Sequence, residues 1–129
     1  MISRVRLAVC VITALSLGCV PTKPRELHDG VDVLSEDAIE AMRVGTGYDV
    51  VARTHSEYLH SRGRESMDSR TPAVPAHVFL DDTYYGEVAT LRQIPASQIA
   101  EMRFYQAYEA QFKFGTGHMG GVIQVITKQ

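Results

Sequence analysis

The stretch Phe114-Gly115-Thr116-Gly117-His118-Met119-Gly120-Gly121-Val122-Ile123-Gln124-Val125-Ile126-Thr127-Lys128 decides how this chain folds. Its spacing Gly115-x-Gly117-x-x-Gly120 matches the glycine pattern of a dinucleotide-binding turn. That chemistry needs a strand before the glycines and a helix after them, so that the helix N-terminus meets the pyrophosphate. Here the order is reversed. The upstream AYEAQFKF reads as a helix over 107–113, with Tyr108, Phe112 and Phe114 at helical spacing. Downstream, Val122 to Thr127 is a β-branched run that reads as a strand, and no helix-forming stretch follows it. The glycines, Gly121 included, are therefore expected to swing a helix into a buried strand. Gln124 is the strand's one polar interruption, which places the strand inside a sheet with apolar neighbours on both faces.

Working upstream, Ile99 to Tyr105 alternates imperfectly: Ile99, Met102 and Phe104 set against Glu101, Arg103 and Tyr105. It reads as a half-buried strand. Glu87 to Arg92 predicts a short helix ended by Pro95. Before it, His77-Val78-Phe79-Leu80, Asp81-Asp82 and Thr83-Tyr84-Tyr85-Gly86 read as strand, tight turn and return strand. Glycine suits positive φ at such a corner better than aspartate, so Asp82→Gly is expected to stabilise the hairpin modestly. Residues 61–71 form a polar loop whose arginines alternate with acids. Further upstream, a helix over 34–43 is expected to be capped by Ser35 and ended by Gly45. A second helix begins at Thr46, with Asp49 in capping-box spacing, and buries Tyr48, Val51, Ala52, His55 and Leu59. The fold class is α+β: a small mixed sheet of about four strands with short helices packed on it.

The chain starts with a leader. Arg4 and Arg6 precede a short apolar run, Leu7 to Leu17, that is too short to span a bilayer. The run ends in Leu15-Ser16-Leu17-Gly18-Cys19, which resembles a bacterial lipobox. That resemblance implies a signal peptide over 1–18 and acylation, with palmitate among the chains, at Cys19. Residues 19–33 then form a lipidated tether and 34–129 the domain. Val20, which is not aspartate, implies sorting to the outer membrane, facing the periplasm. With Cys10 in the leader and Cys19 acylated, no thiol remains to form a disulfide. Removing Arg4 and Arg6 leaves 11 basic residues against 15 acidic ones, a net of −4. No basic patch remains, so nucleic acid is not expected as a partner.

The segments LSEDAIEAM, VFLDDTYYG, IPASQIAEMRFYQAYEAQFKFG and TGHMGGVIQVITK resemble, in order and spacing, the plug domain of TonB-dependent outer-membrane receptors. The resemblance covers roughly residues 34–128. It implies the family's helix, its hairpin at Asp81 and Gly86, and a closing strand entered through Gly115, Gly117, Gly120 and Gly121. Two departures bear on function: Asp82 stands where the family has glycine at the hairpin corner, and no barrel strands follow in this sequence. The family's transport activity is therefore not carried over. The resemblance implies a stand-alone plug-like module on a lipoprotein, meeting an outer-membrane β-barrel, another envelope protein or a small ligand.

An enzyme is the alternative reading, either metal-dependent or hydrolytic and periplasmic. Five histidines (His28, His55, His60, His77 and His118) invite a metal, but His55 and His60 are five apart and share no helical face, and no H-E-x-x-H occurs. No G-x-S-x-G nucleophile turn is present. The residues thus predict no catalytic group, no metal ligand and no cofactor. Of the aromatic residues, Tyr85 and Tyr105 are the expected partner contacts, and the others are assigned to the core and its rim.

Overall fold

The computed structural model describes residues 27–28, 31–61 and 72–129. Six strands form one mixed sheet: β1 (Leu27–His28), β2 (Val31–Ser35), β3 (His77–Leu80), β4 (Thr83–Glu87), β5 (Ile99–Tyr105) and β6 (Val122–Thr127). Their order across the sheet is β1-β2-β5-β6-β3-β4. β6 is interior, antiparallel to β5 and parallel to β3. Both predictions about it hold: it is central, and no helix follows Gly121. The α+β class also holds, with a sheet wider than four strands because β1 and β2 extend one edge.

That edge corrects the N-terminal boundary. Of the residues assigned to the tether, Asp32 and Val33 pair with β5 through Asp32↔Phe104 and Val33↔Arg103, and Val31 pairs with His28 of β1. The same ladder runs on to Ser35, so helix α1 (Glu36–Ala41) starts later than expected. Ser35 holds the cap position but makes no side-chain capping bond. Gly45 does not end the helix either. Arg43 turns the chain at φ 51, and the Arg53 guanidinium donates to the Met42 carbonyl at 2.8 Å.

Helix α2 (Gly47–Thr54) begins as predicted, with the Thr46–Asp49 capping box closed in both directions. Its buried side differs in detail. Val50, Val51 and His55 are buried, while Ala52 faces solvent and Tyr48 sits half-buried under the Arg92 guanidinium, 4.0 Å from its ring centre. Tyr58, in the short 3₁₀ turn Ser56–Leu59, fills the place expected of Leu59.

The strands' alternation sorts their side chains onto two faces. Val78, Met102, Phe104, Ile123 and Val125 point into the main core, where α1, α2 and the 3₁₀ turn Val88–Gln93 cover them. Phe79, Tyr105 and Val122 point the other way and meet Ala110 and Phe114 of helix α3 (Ala107–Phe114). The imperfect alternation of β5 has a local cause: its pairing with β6 shifts between Ile99 and Glu101, which places Ala100 out of step.

Candidate functional site

The glycine run is built for contact with the protein's own backbone. Gly120 leaves no space for a side chain, since a Cβ there would lie 2.3 Å from the Pro75 carbonyl oxygen. Gly121 has φ +89, and its Cβ position is blocked by the Tyr105 carbonyl oxygen at 2.8 Å and the Tyr58 ring at 2.9 Å. Gly115, just past the end of α3, and Gly117 have positive φ and open space around them. Gly86 lies in β4 against Thr90. These close approaches seat the turn against the segment entering β3 and the end of β5, and leave no cradle for phosphate at Gly120 and Gly121.

The hairpin corner is a two-residue turn in which Asp81 and Asp82 both take positive φ, 46 and 69. Their side chains explain why aspartate stands there. The Asp81 carboxylate accepts from the Thr127 backbone N–H at 2.9 Å and from its hydroxyl at 2.6 Å. These bonds hold its pKa below the ordinary carboxylate range. The Asp82 carboxylate accepts from Gln124 Nε2. The turn is thereby clasped onto β6.

Gln124 is the centre of this arrangement and is buried. Its Oε1 accepts from the Tyr105 hydroxyl at 3.0 Å and from Lys113 Nζ at 2.8 Å, and Lys113 also donates to the Tyr105 oxygen at 2.7 Å. Beside it Arg103 donates through Nε to Glu101, which raises the guanidinium pKa above its ordinary value. Asp81, Asp82, Arg103, Lys113, Gln124, Ile126 and Thr127 line an open groove of about 670 Å³ on the face that α3 covers only at one end. The groove carries both signs of charge; within it Asp81 binds Thr127 and Gln124 links Asp82 to Lys113, while Arg103 is held by Glu101. Chemically it presents a mixed-charge, hydrogen-bonding surface.

The two expected partner contacts separate. Tyr85 is 39% exposed, on a bulge: β3 and β4 shift register between Val78 and Phe79, leaving Tyr85 as the extra residue. Tyr105, in contrast, is 5% exposed, because α3 folds back over it and its hydroxyl is held by Gln124. It is a core residue. The most exposed aromatics among the described residues are instead Tyr108 and Phe112, at 73% and 76%, ahead of Tyr84 at 55%, all of which the sequence reading assigns to the core and its rim. A short helix offers one buried stripe. Ala110 and Phe114 occupy it, so Tyr108 and Phe112 point outward.

Among the histidines, topology makes one pair that sequence spacing could not reveal. His77 Nδ1 and His118 Nδ1 lie 2.8 Å apart across 41 residues. His55 is buried, stacked on Phe104, with Nε2 2.7 Å from an Asp32 carboxylate oxygen. Among the described residues, no group of three or more histidine, cysteine, aspartate or glutamate side chains could hold a metal ion. Cys19 and the tether up to residue 26 lie outside the described residues.

No protein-family model matches the chain, nor does any curated protein. Solved structures do. The ferric enterobactin receptor PfeA of Pseudomonas aeruginosa matches 78% of this chain at 17% identity and a TM-score of 0.55. The siderophore receptors PirA of Acinetobacter baumannii and PirA of P. aeruginosa match the same share, at 20% and 16% identity with TM-scores of 0.53 and 0.51. This chain spans only 17–18% of the length of those receptors. Its fold is thus plug-domain-like, similar to that carried within TonB-dependent siderophore receptors.

Proposed function

We propose that this protein is a non-catalytic, lipid-anchored plug-like module that works at the outer membrane by binding a partner, with an outer-membrane β-barrel as the leading candidate. The observation that carries the reading is the fold: 78% of the chain matches the receptors, and what they share with it is a small fraction of their length. Two features of the chain support it. The open groove presents interlocked charges suited to a polar protein wall. The lipobox-like Leu15–Cys19 would hold the domain at the membrane where such a partner resides. The similar structures are siderophore receptors; for this chain a small ligand is the secondary form of the same reading.

The test is purification of the tagged full-length protein from outer membranes under mild crosslinking. A barrel protein recovered with it, and lost when Arg103 and Lys113 are both changed to glutamate, is the expected result. Recovery as a monomer alone under the same conditions would count against partner binding. The enzyme reading is separated by elemental analysis, since a stoichiometric metal held by histidines would favour it.

A further inference from the structure

We propose that Tyr108 and Phe112 on α3 rest on the lipid leaflet that carries the protein's own anchor, so that the domain leans against the membrane in one orientation; this rests on the reading of Cys19 as lipidated. The two rings are the most exposed large hydrophobic side chains among the described residues and touch each other edge to face, 4.7 Å between centres. The charged residues beside them on the helix make hydrogen bonds directed away from the pair. Glu109 accepts from the Gln106 backbone N–H at 2.9 Å, and Lys113 is drawn back to Tyr105 and Gln124. The most exposed part of α3 is therefore an aromatic pair, a Tyr and a Phe of the kind that settles at a membrane–water interface, with the Lys113 cation beside it.

The length of the tether and the place where it joins choose lipid as the occupant. Seven residues, 20–26, separate Cys19 from β1. Fully extended, they reach about 25 Å, which keeps the domain within its own diameter of the bilayer. The chain joins the sheet at its outer strand, β1, and the neighbouring β2 lies close to α3, since its first residue, Val31, packs into the same cluster as Ala110 and Phe114. An anchor joined there brings α3 toward the leaflet. The net charge of −4 after the leader is removed offers no electrostatic attraction to anionic lipid, so aromatic burial is the contact available.

The chain contains no tryptophan, so Phe112→Trp supplies a single reporter at an exposed position. Tyr85→Trp is the control, on the edge of the sheet farthest from the tether. Each full-length lipidated variant is reconstituted into phosphatidylethanolamine–phosphatidylglycerol vesicles with and without brominated acyl chains. The expected result is blue-shifted emission from residue 112, quenched by brominated lipid and shielded from a water-soluble quencher, with residue 85 unaffected. Adding Tyr108→Ser to Phe112→Trp should weaken that quenching. If the protein sediments with the vesicles but residue 112 behaves like residue 85, the leaning orientation is overturned while the anchor stands. If it neither carries lipid nor sediments, the anchor reading fails and the orientation falls with it.

Discussion

Gly120 shows how a single missing side chain sets the geometry. Its φ lies outside the positive range, so its role is space alone: Pro75 passes where a methyl group would sit. Gly120→Ala should cost about 3 kcal/mol, because backbone cannot step aside as a flexible side chain can. Gly45→Ala, at an exposed position without positive φ and with only the Asp49 carboxylate in ordinary contact at 3.8 Å, should cost less than about 1 kcal/mol. Urea denaturation of the two variants reads the difference, and equal costs would show that close approach at Gly120 is unimportant. At Asp82 the structure reverses the expectation from sequence. Glycine would relieve the strained φ, but would leave Gln124 Nε2, on a residue 2% exposed, without its acceptor. Unsatisfied buried donors cost about 1–3 kcal/mol, which matches or exceeds the strain relieved. Asp82→Gly should therefore destabilise, whereas Asp82→Asn, which tolerates positive φ and keeps a carbonyl acceptor, should be close to neutral; thermal melts of both decide it.

At the level of elements, the β3–β4 hairpin is held to β6 by side chains as well as by the ladder. Asp81 binds both groups of Thr127, and its lowered pKa links that clasp to pH. A carboxylate with a depressed folded pKa stabilises above its unfolded value and loses that contribution as pH falls through the folded one. The loss should thus appear below about pH 4 and continue into stronger acid. Because Asp81 is solvent-exposed, the effect is a fraction of what a buried pair would give. Chemical denaturation at pH 6, 4 and 3 should show a smaller drop for Asp81→Asn than for the wild type; parallel curves would remove Asp81 from the acid response. At the other edge, His55 ties α2 to β2 through Asp32 while stacking on Phe104. His55→Ala removes both contacts at a site 7% exposed and should cost about 2–3 kcal/mol in the same assay.

For the whole molecule, the proposed leader and anchor lie outside the described residues, so their test is separate from that of the domain. Cys19→Ser should abolish acyl labelling and release the protein from membranes without changing its melting temperature. Membrane retention of that variant would mean something other than lipid holds it. No cysteine lies among the described residues, so the stability of this part rests on packing two apolar clusters on opposite faces of one sheet.

Local chemistry made much of this readable in advance. The β-branched run at 122–127, the capping residues at Thr46 and Asp49, the aspartate turn and the glycine spacing each act within a few residues, so the amino-acid order alone determined the helix–turn–strand close and the hairpin. The strand at 31–35 escaped because, apart from the two-residue β1, its partner is β5, some 70 residues away. Tyr105, Tyr108 and Phe112 were misassigned for a related reason: which side of a strand or helix is wet depends on where α3 packs, and periodicity marks faces without saying what covers them. Gln124 was visible as a lone polar residue in an apolar run, but its partners Lys113, Tyr105 and Asp82 come from three other elements. Tertiary packing alone decided them, since hydrogen bonds in a buried network are set by distances in space that sequence separation does not encode.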